Sequence, residues 1–189
     1  MVDAILQAAA EVFAELGYAR ATTNKIARRA GVSVGSLYQY FPNKDSLLLE
    51  IYGRHHADVH RLLEAALARL VDPATPLEEG LRLLLTELVE LHQTNPALTR
   101  ALSPEIIEQS AVLKGAFKND DEDYLEAIVH VLSSRPDVRP GDHRAMALVV
   151  GQAAEQLVRW LVHETAPVPL LTLLEELVQL LHRYLAASG

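Results

Sequence analysis

Apolar side chains recur along nearly the whole chain at intervals of three and four residues, the spacing that lines one face of an α-helix. From Val2 to Leu16 the set is Ile5, Ala9, Val12, Phe13 and Leu16, and Gly17 stands where a C-terminal cap would end this first helix. Two short helices are expected next, over about 23–30 and 34–40, joined by Gly31-Val32-Ser33. A long helix then opens at Asn43, a favourable N-cap, and continues to about Leu70 through Leu47, Leu48, Ile51, Tyr52, Val59, Leu62, Leu63, Ala66 and Leu67. Beyond an Asp72–Pro76 linker, helices are expected at about 77–94, 96–102, 104–134, 142–164 and 169–187.

The nine prolines fall between these stretches or at their first residue, never inside them, as residues lacking an N–H and clashing with the preceding turn should. No alternating run bounded by turn residues predicts a strand, so the fold class is all-α. The 104–134 span is expected to break near Gly115–Asn119, with Asn119 capping a helix that starts with Asp120, Asp121 and Glu122. With Asp123 these acids lack the alternation and central glycine of a calcium loop, and are read as charges favouring a helix start.

Composition narrows the picture. The 189 residues are 50% hydrophobic, enough for one or two globular cores, and mean hydropathy is +0.10. Cysteine is absent, which excludes disulfides, thiolate metal sites and a cysteine nucleophile. Asp3, Glu11 and Glu15 interrupt the apolar run a secretory signal would need, and no run approaches the ~18 residues of a membrane span. A cytoplasmic location, at the nucleoid, with no membrane partner, is the expectation.

A net charge of −8 argues against a nucleic-acid partner until its distribution is seen. Residues 1–54 carry Arg20, Lys25, Arg28, Arg29, Lys44 and Arg54 against Asp3, Glu11, Glu15, Asp45 and Glu50, a net of +1, and the remainder carries −9. Between Leu16 and Lys44 there are five basic residues and no acid.

That acid-free stretch has the parts of a helix-turn-helix. Thr22 and Thr23 offer hydroxyl caps, Ile26 and Ala30 an inner face, and Gly31 a residue tolerant of positive φ at the turn. Ser33 can cap the second helix, while Val32 and Leu37 point inward. Ser36, Tyr38, Gln39 and Tyr40 are left outside, with Lys44 beyond. Gly35 costs a short helix about 1 kcal/mol relative to alanine, yet lets backbone approach another surface closely.

The segment Thr22-Thr-Asn-Lys-Ile-Ala-Arg-Arg-Ala-Gly-Val-Ser-Val-Gly-Ser-Leu-Tyr-Gln-Tyr-Phe-Pro-Asn-Lys44, preceded by Ala8 to Tyr18, resembles the N-terminal domain of the tetracycline repressor (TetR) family over about residues 3–52. Residues 53–189 share with that family an all-helical pattern and a suitable length. The resemblance implies a DNA-binding domain at 1–46, with its helix-turn-helix at about 22–41, and an effector-binding and dimerisation domain at 47–189. It also implies that Thr22, Thr23, Asn24 and Lys25 approach phosphates and that Ser33, Val34, Gly35, Ser36, Gln39 and Tyr40 face base edges or adjacent phosphates. Tyr38 and Lys44 would grip the backbone. Gln39 is the best candidate for direct readout, because its amide can pair bidentately with adenine. Arg28 and Arg29 fit either a solvated back face or phosphate contacts. Many family members carry a basic arm before the first helix; if nothing precedes Met1-Val2-Asp3, weaker non-specific affinity is expected.

Other functions find less support. Gly31-Val32-Ser33-Val34-Gly35 matches the G-x-S-x-G elbow of hydrolases, but it follows a helix and lacks the strand that motif requires. No enzyme activity or cofactor is expected. His55, His56 and His60 could begin a metal site on the long helix, without an evident third or fourth ligand. A helical metal-binding or protein-interaction module is the alternative to a DNA binder.

The last two helices are apolar on more than one face, which suggests burial against a partner. Val150, Leu157, Leu161, Leu173, Leu177, Leu180 and Tyr184 are expected in the interface of a homodimer built as a four-helix bundle. Two-fold symmetry would pair with a palindromic double-stranded operator, half-sites ~34 Å apart. The family resemblance further implies a repressor released by a small-molecule effector that tilts the long helix 43–70. His92, Tyr124, Gln152, Gln156 and Trp160 are candidates to line its site.

Overall fold

The computed structural model describes residues 1–163 and 168–187, with side chains throughout except at 116–121, 159 and 161–163. The described residues form α1 (Val2–Arg20), α2 (Thr23–Ala30), α3 (Val34–Tyr38), α4 (Lys44–Val71), α5 (Leu77–Thr94), α6 (Pro96–Ala101), α7 (Pro104–Gln109), α8 (Ala111–Ser134), α9 (His143–His163) and α10 (Leu170–Leu185). Among them the only β-type pairing is an isolated bridge between Val138 and Ala186.

Most ends lie where local chemistry puts them. Gly17 leaves the helical region (φ 73°, ψ 166°), but the chain regains one further turn and α1 ends at Arg20. The expected break at 115–119 is absent. The chain turns instead at Ser110, whose hydroxyl accepts from Leu113 N and caps the start of α8. One glycine in a helix of 24 residues costs too little to stop it. The acids expected at a helix start therefore fall within α8, and the side chains of Asp120 and Asp121 lie outside the described set.

The chain packs as two units, Met1–Asp58 with Asn95–Asn119, and Val59–Thr94 with Asp120–Gly189. The first of these units runs past residue 46 into α4. Leu47, Leu48, Ile51 and Tyr52 pack in the first unit's core with Ile5, Phe13, Ile26 and Leu37, so the first turns of α4 cannot be separated from it. Leu102, Ile106 and Leu113 join the same core, and α1 runs against α2, α6 and α7.

In the second unit, α5 packs against α9 and α10. Its core is built from Leu70, Leu77, Leu81, Leu85, Val131, Met146, Val150, Val158, Leu174, Val178, Leu181 and Leu185. Gly80 permits the close approach of α4 and α5, since a Cβ there would lie 2.4 Å from Leu70 Cδ2. The loop after α8 closes two helix ends. The Arg135 guanidinium, its side chain 1% exposed, donates to the carbonyls of Leu70 (2.6 Å) and Thr75 (2.9 Å) and pairs with Asp137 at 2.7 Å. Arg139 Nε donates to the Tyr184 carbonyl at 2.7 Å and its guanidinium lies over the Tyr184 ring.

Of the two apolar stripes on α10, the fold buries Leu174, Leu177, Val178, Leu181 and Leu185, and leaves Leu180 61% exposed. Leu173 and Tyr184 are half-buried. On α9, Val150 turns inward with Met146 and Ala147, while Leu148, Val149, Gln152, Gln156 and Trp160 face out. Val150 and Leu177 are therefore core residues of the subunit, which corrects their expected place in an interface. Leu157 is half-buried, and the Leu161 side chain lies outside the described residues.

Candidate nucleic-acid interface

The helix-turn-helix is assembled by short-range chemistry. Thr22 Oγ1 accepts from Lys25 N (3.3 Å) to start α2. Gly31 ends that helix in the left-handed region (φ 68°), where a side chain would be strained. Ser33 Oγ accepts from Ser36 N (2.9 Å) and also bonds Ser36 Oγ (2.8 Å), which opens α3. The G-x-S-x-G match is thus the turn between two helices, its serine spent as a cap. Leu37 anchors α3 in the core with no exposure, and Val34 is half-buried against that core. Asn43 Oδ1 accepts from Ser46 N (2.8 Å), so α4 starts as the sequence predicts.

What projects from this frame is polar. Asn24, Ser33, Gly35 and Gln39 are exposed, and Tyr38 and Tyr40 are 48% and 46% exposed. Thr23 Oγ1 bonds the Tyr38 hydroxyl (3.0 Å), tying the first turn of α2 to the last residue of α3. Two lysines expected at phosphates spend one donor each on the end of α1. Lys25 Nζ donates to Arg20 O (2.8 Å) and Lys44 Nζ to Tyr18 O (2.8 Å). An ammonium has three donors, so each head is aimed by one bond and keeps two for an anion. Arg29 pairs with Glu15 (2.6 Å) and Glu11 (3.0 Å), which assigns it to bracing α2 against α1. Arg28 is exposed.

Sequence reasoning passed over Tyr18 and Asp45. The Tyr18 hydroxyl donates to the Asp45 carboxylate, and its ring stacks on Phe13 (centroids 6.3 Å apart) beneath the Lys44 ammonium, 3.9 Å from the ring centre. Burial, with Asp45 beside it, pushes the Tyr18 phenol up to about 12. Asp45, the acid nearest the reading surface in sequence, thus has its charge engaged inward.

Among the described residues no three His, Asp or Glu side chains converge as a metal site. The His56 ring lies 5.6 Å from that of Tyr52 and the His60 ring 5.9 Å from that of Tyr124, and His60 Nδ1 is 3.5 Å from Glu64. No described helix is long and apolar enough to cross a membrane.

Residues 5–51 match the profile of the family described as "Bacterial regulatory proteins, tetR family". Residues 76–185, more than half of the chain, match "Tetracyclin repressor-like, C-terminal domain". The chain belongs to the TetR family.

As a member of that family it is a DNA-binding transcriptional regulator, and its membership extends to the C-terminal helices, where only length and helicity were legible in the sequence. Among its curated relatives, the fatty acid metabolism regulator protein of Bacillus subtilis (strain 168) is 26% identical over 165 residues, covering 85% of this chain and 83% of the relative. The HTH-type transcriptional repressor KstR of Rhodococcus jostii (strain RHA1) is 28% identical over 181 residues, covering 94% and 80%. A solved tetR-family regulatory protein from Rhodococcus RHA1 superposes with a TM-score of 0.76 at 26% identity, covering 100% of this chain and 98% of its own. The FadR regulator of Bacillus subtilis, solved in complex with stearoyl-CoA, shares the fold at a TM-score of 0.74 and 23% identity, covering 97% and 99%.

Proposed function

We propose that this TetR-family protein is a repressor that binds a palindromic operator as a homodimer and leaves it when a long-chain acyl-CoA binds the second unit. The observation that carries the DNA part is the exposed row Tyr38-Gln39-Tyr40, from the last residue of α3 into the turn that follows, with the inner face of α3 locked by Leu37. In this reading Gln39 and Tyr40 meet base edges or adjacent phosphates, with Ser33, Gly35 and Ser36 close to the backbone. Thr22, Thr23, Asn24, Lys25, Tyr38 and Lys44 hold phosphates and fix register.

The dimer face is reassigned to the outward residues of α9 and α10. Leu148, Val149 and Trp160 are 49%, 51% and 40% exposed, and they flank Gln152 and Gln156 on one helical stripe. Leu180 and Leu173 continue it on α10. Gln152, Gln156 and Trp160 thereby move from effector site to interface. For the effector, the second unit offers Leu84, Leu88, Leu125, Ile128, Ala154 and Leu157, all apolar and only partly buried, with His92 buried on α5 and Tyr124 half-buried on α8. Apolar side chains of this kind suit an acyl chain, and the acyl-CoA class is supported by the relative named for fatty acid metabolism.

The test is selection of duplexes from a random pool, followed by titration of the bound complex with stearoyl-CoA, stearate and coenzyme A separately. A palindromic motif, a dimer in sedimentation, and release by stearoyl-CoA alone are expected. A non-palindromic motif or a monomer bound to DNA would overturn the dimeric repressor; release by none of the three would overturn the effector class only.

A further inference from the structure

On the outer side of α10, Glu176 and Arg183 bracket Leu180, the one before it in the chain and the other after it. All three are exposed, Leu180 by 61%. At ~3.6 residues per turn they lie within ~60° of one another around the helix, away from the core face of Leu174, Val178 and Leu181. Glu176 and Arg183 are separated by ~10 Å of helix axis, too far to pair with each other.

Several arginines of the second unit find carboxylates inside it. Arg69 meets Glu87 at 2.6 Å, Arg82 meets Glu175 at 2.6 Å and Glu78 at 2.9 Å, and Arg135 meets Asp137 at 2.7 Å. Among the described residues, neither Glu176 nor Arg183 has an ion pair or a side-chain hydrogen bond. The sequence of α10 explains this. Thr172, Leu173, Gln179 and Leu180 stand three and four residues from Glu176, and Gln179, Leu180, Ala186 and Ala187 stand so from Arg183. No helix-surface neighbour of either carries the opposite charge.

A second copy of the chain supplies both missing partners at once. In a two-fold interface a contact from residue i to residue j is repeated from j to i. With the axis across α10 beside Leu180, the two copies of the helix run antiparallel, and Glu176 of each faces Arg183 of the other. A parallel crossing would set glutamate against glutamate and arginine against arginine, which is unfavourable. The residues of α9 assigned to the same face, Leu148, Val149, Gln152, Gln156 and Trp160, are uncharged, so they favour association without fixing its direction.

We infer that α10 crosses α10 of a second copy antiparallel at Leu180, with two Glu176–Arg183 ion pairs related by the dyad, so that charge selects the chain's own copy and sets the register. This rests on the reading of α9 and α10 as the dimer face.

The test measures dimer dissociation of the full-length protein by sedimentation over a concentration series at low salt. The variants are Glu176→Arg, Arg183→Glu and the double exchange. Each single variant sets like charges together twice per dimer, and its Kd is expected to rise about tenfold or more. The double exchange restores both pairs in reversed sense and should return to within about threefold of the wild type. An equimolar mixture of the two single variants should form a heterodimer in preference to either homodimer, since only there do all four charges find opposites. Circular dichroism should be unchanged throughout, because both side chains are exposed. Single variants that dimerise like the wild type, or weakened ones that neither the double exchange nor the mixture rescues, would overturn the inference. If Val149→Glu breaks the dimer while the charge variants do not, the face stands and the register falls; a monomeric wild type would remove both.

Discussion

The ammonium of Lys44 donates to the main-chain oxygen of Tyr18 at 2.8 Å and sits 3.9 Å above the centre of that residue's own ring. A cation held on two sides is presented to a phosphate with little rotamer entropy left to lose. Lys44→Ala should weaken every duplex by a similar factor and flatten the dependence of log K on log salt by about one unit. Filter binding at several salt concentrations checks this; weakening confined to one sequence would contradict it.

Gln39 behaves differently. It is exposed at the end of α3, beyond the Ser33 cap that fixes the helix. Gln39→Ala should cost about 1–3 kcal/mol on the preferred site and relax choice at one base pair per half-site, leaving the salt slope unchanged. Repeating the duplex selection with the variant reads this directly.

Arg135 is the most consequential buried cation among the described residues. Arg135→Met keeps the stem but leaves the carbonyls of Leu70 and Thr75 without that donor and Asp137 without its partner. The expected loss is about 3 kcal/mol, read as a lower urea midpoint with an unchanged slope. Arg135→Lys should recover little, since a compact ammonium cannot serve a forked set of acceptors.

Alkaline pH should expose Tyr18. Its phenol ionises at about 12 in the folded protein, above the ordinary value near 10, because burial and Asp45 disfavour the phenolate. The unfolded chain then releases that proton first, so this contribution is intact below pH ~10 and is lost as pH rises towards 12. Ultraviolet titration should show a late tyrosine step near that pH, and Tyr18→Phe should remove it.

Val149→Glu places a charge on a side chain that is 51% exposed within the subunit. Thermal unfolding of the secondary structure should persist, while sedimentation shifts to the monomer and operator affinity drops with it. A variant that stays dimeric would move the interface elsewhere.

The sequence spoke most clearly where structure is local. Thr22, Gly31, Ser33 and Asn43 each act within three or four residues of their own position, and all four stand where their side-chain chemistry predicts. The ends of α5 at Leu77 and Thr94 follow from Pro76 and the Asn95-Pro96 pair in the same way. Tertiary assignments were not legible. Both stripes of α10 are leucine-rich, and nothing in their composition says that Leu177 turns to the core and Leu180 to solvent. Tyr18 and Asp45 are distant in sequence, and nothing local to either says that the phenol donates to that carboxylate. The family resemblance named the reading head but could not say that Lys25 and Lys44 are aimed by carbonyls of α1.

The first unit draws its residues from two separate stretches, Met1–Asp58 and Asn95–Asn119. On the ribosome, the reading head is therefore synthesised early but left open. Leu102, Ile106 and Leu113 reach its core only after α5 has emerged. A nascent chain stalled before that point would carry uncovered apolar surface and the opportunity for non-native association. The same interleaving bears on grafting: a head cut after residue 58 and fused to foreign helices would lack α6 and α7, so functional chimaeras should be sought by exchanging both stretches together.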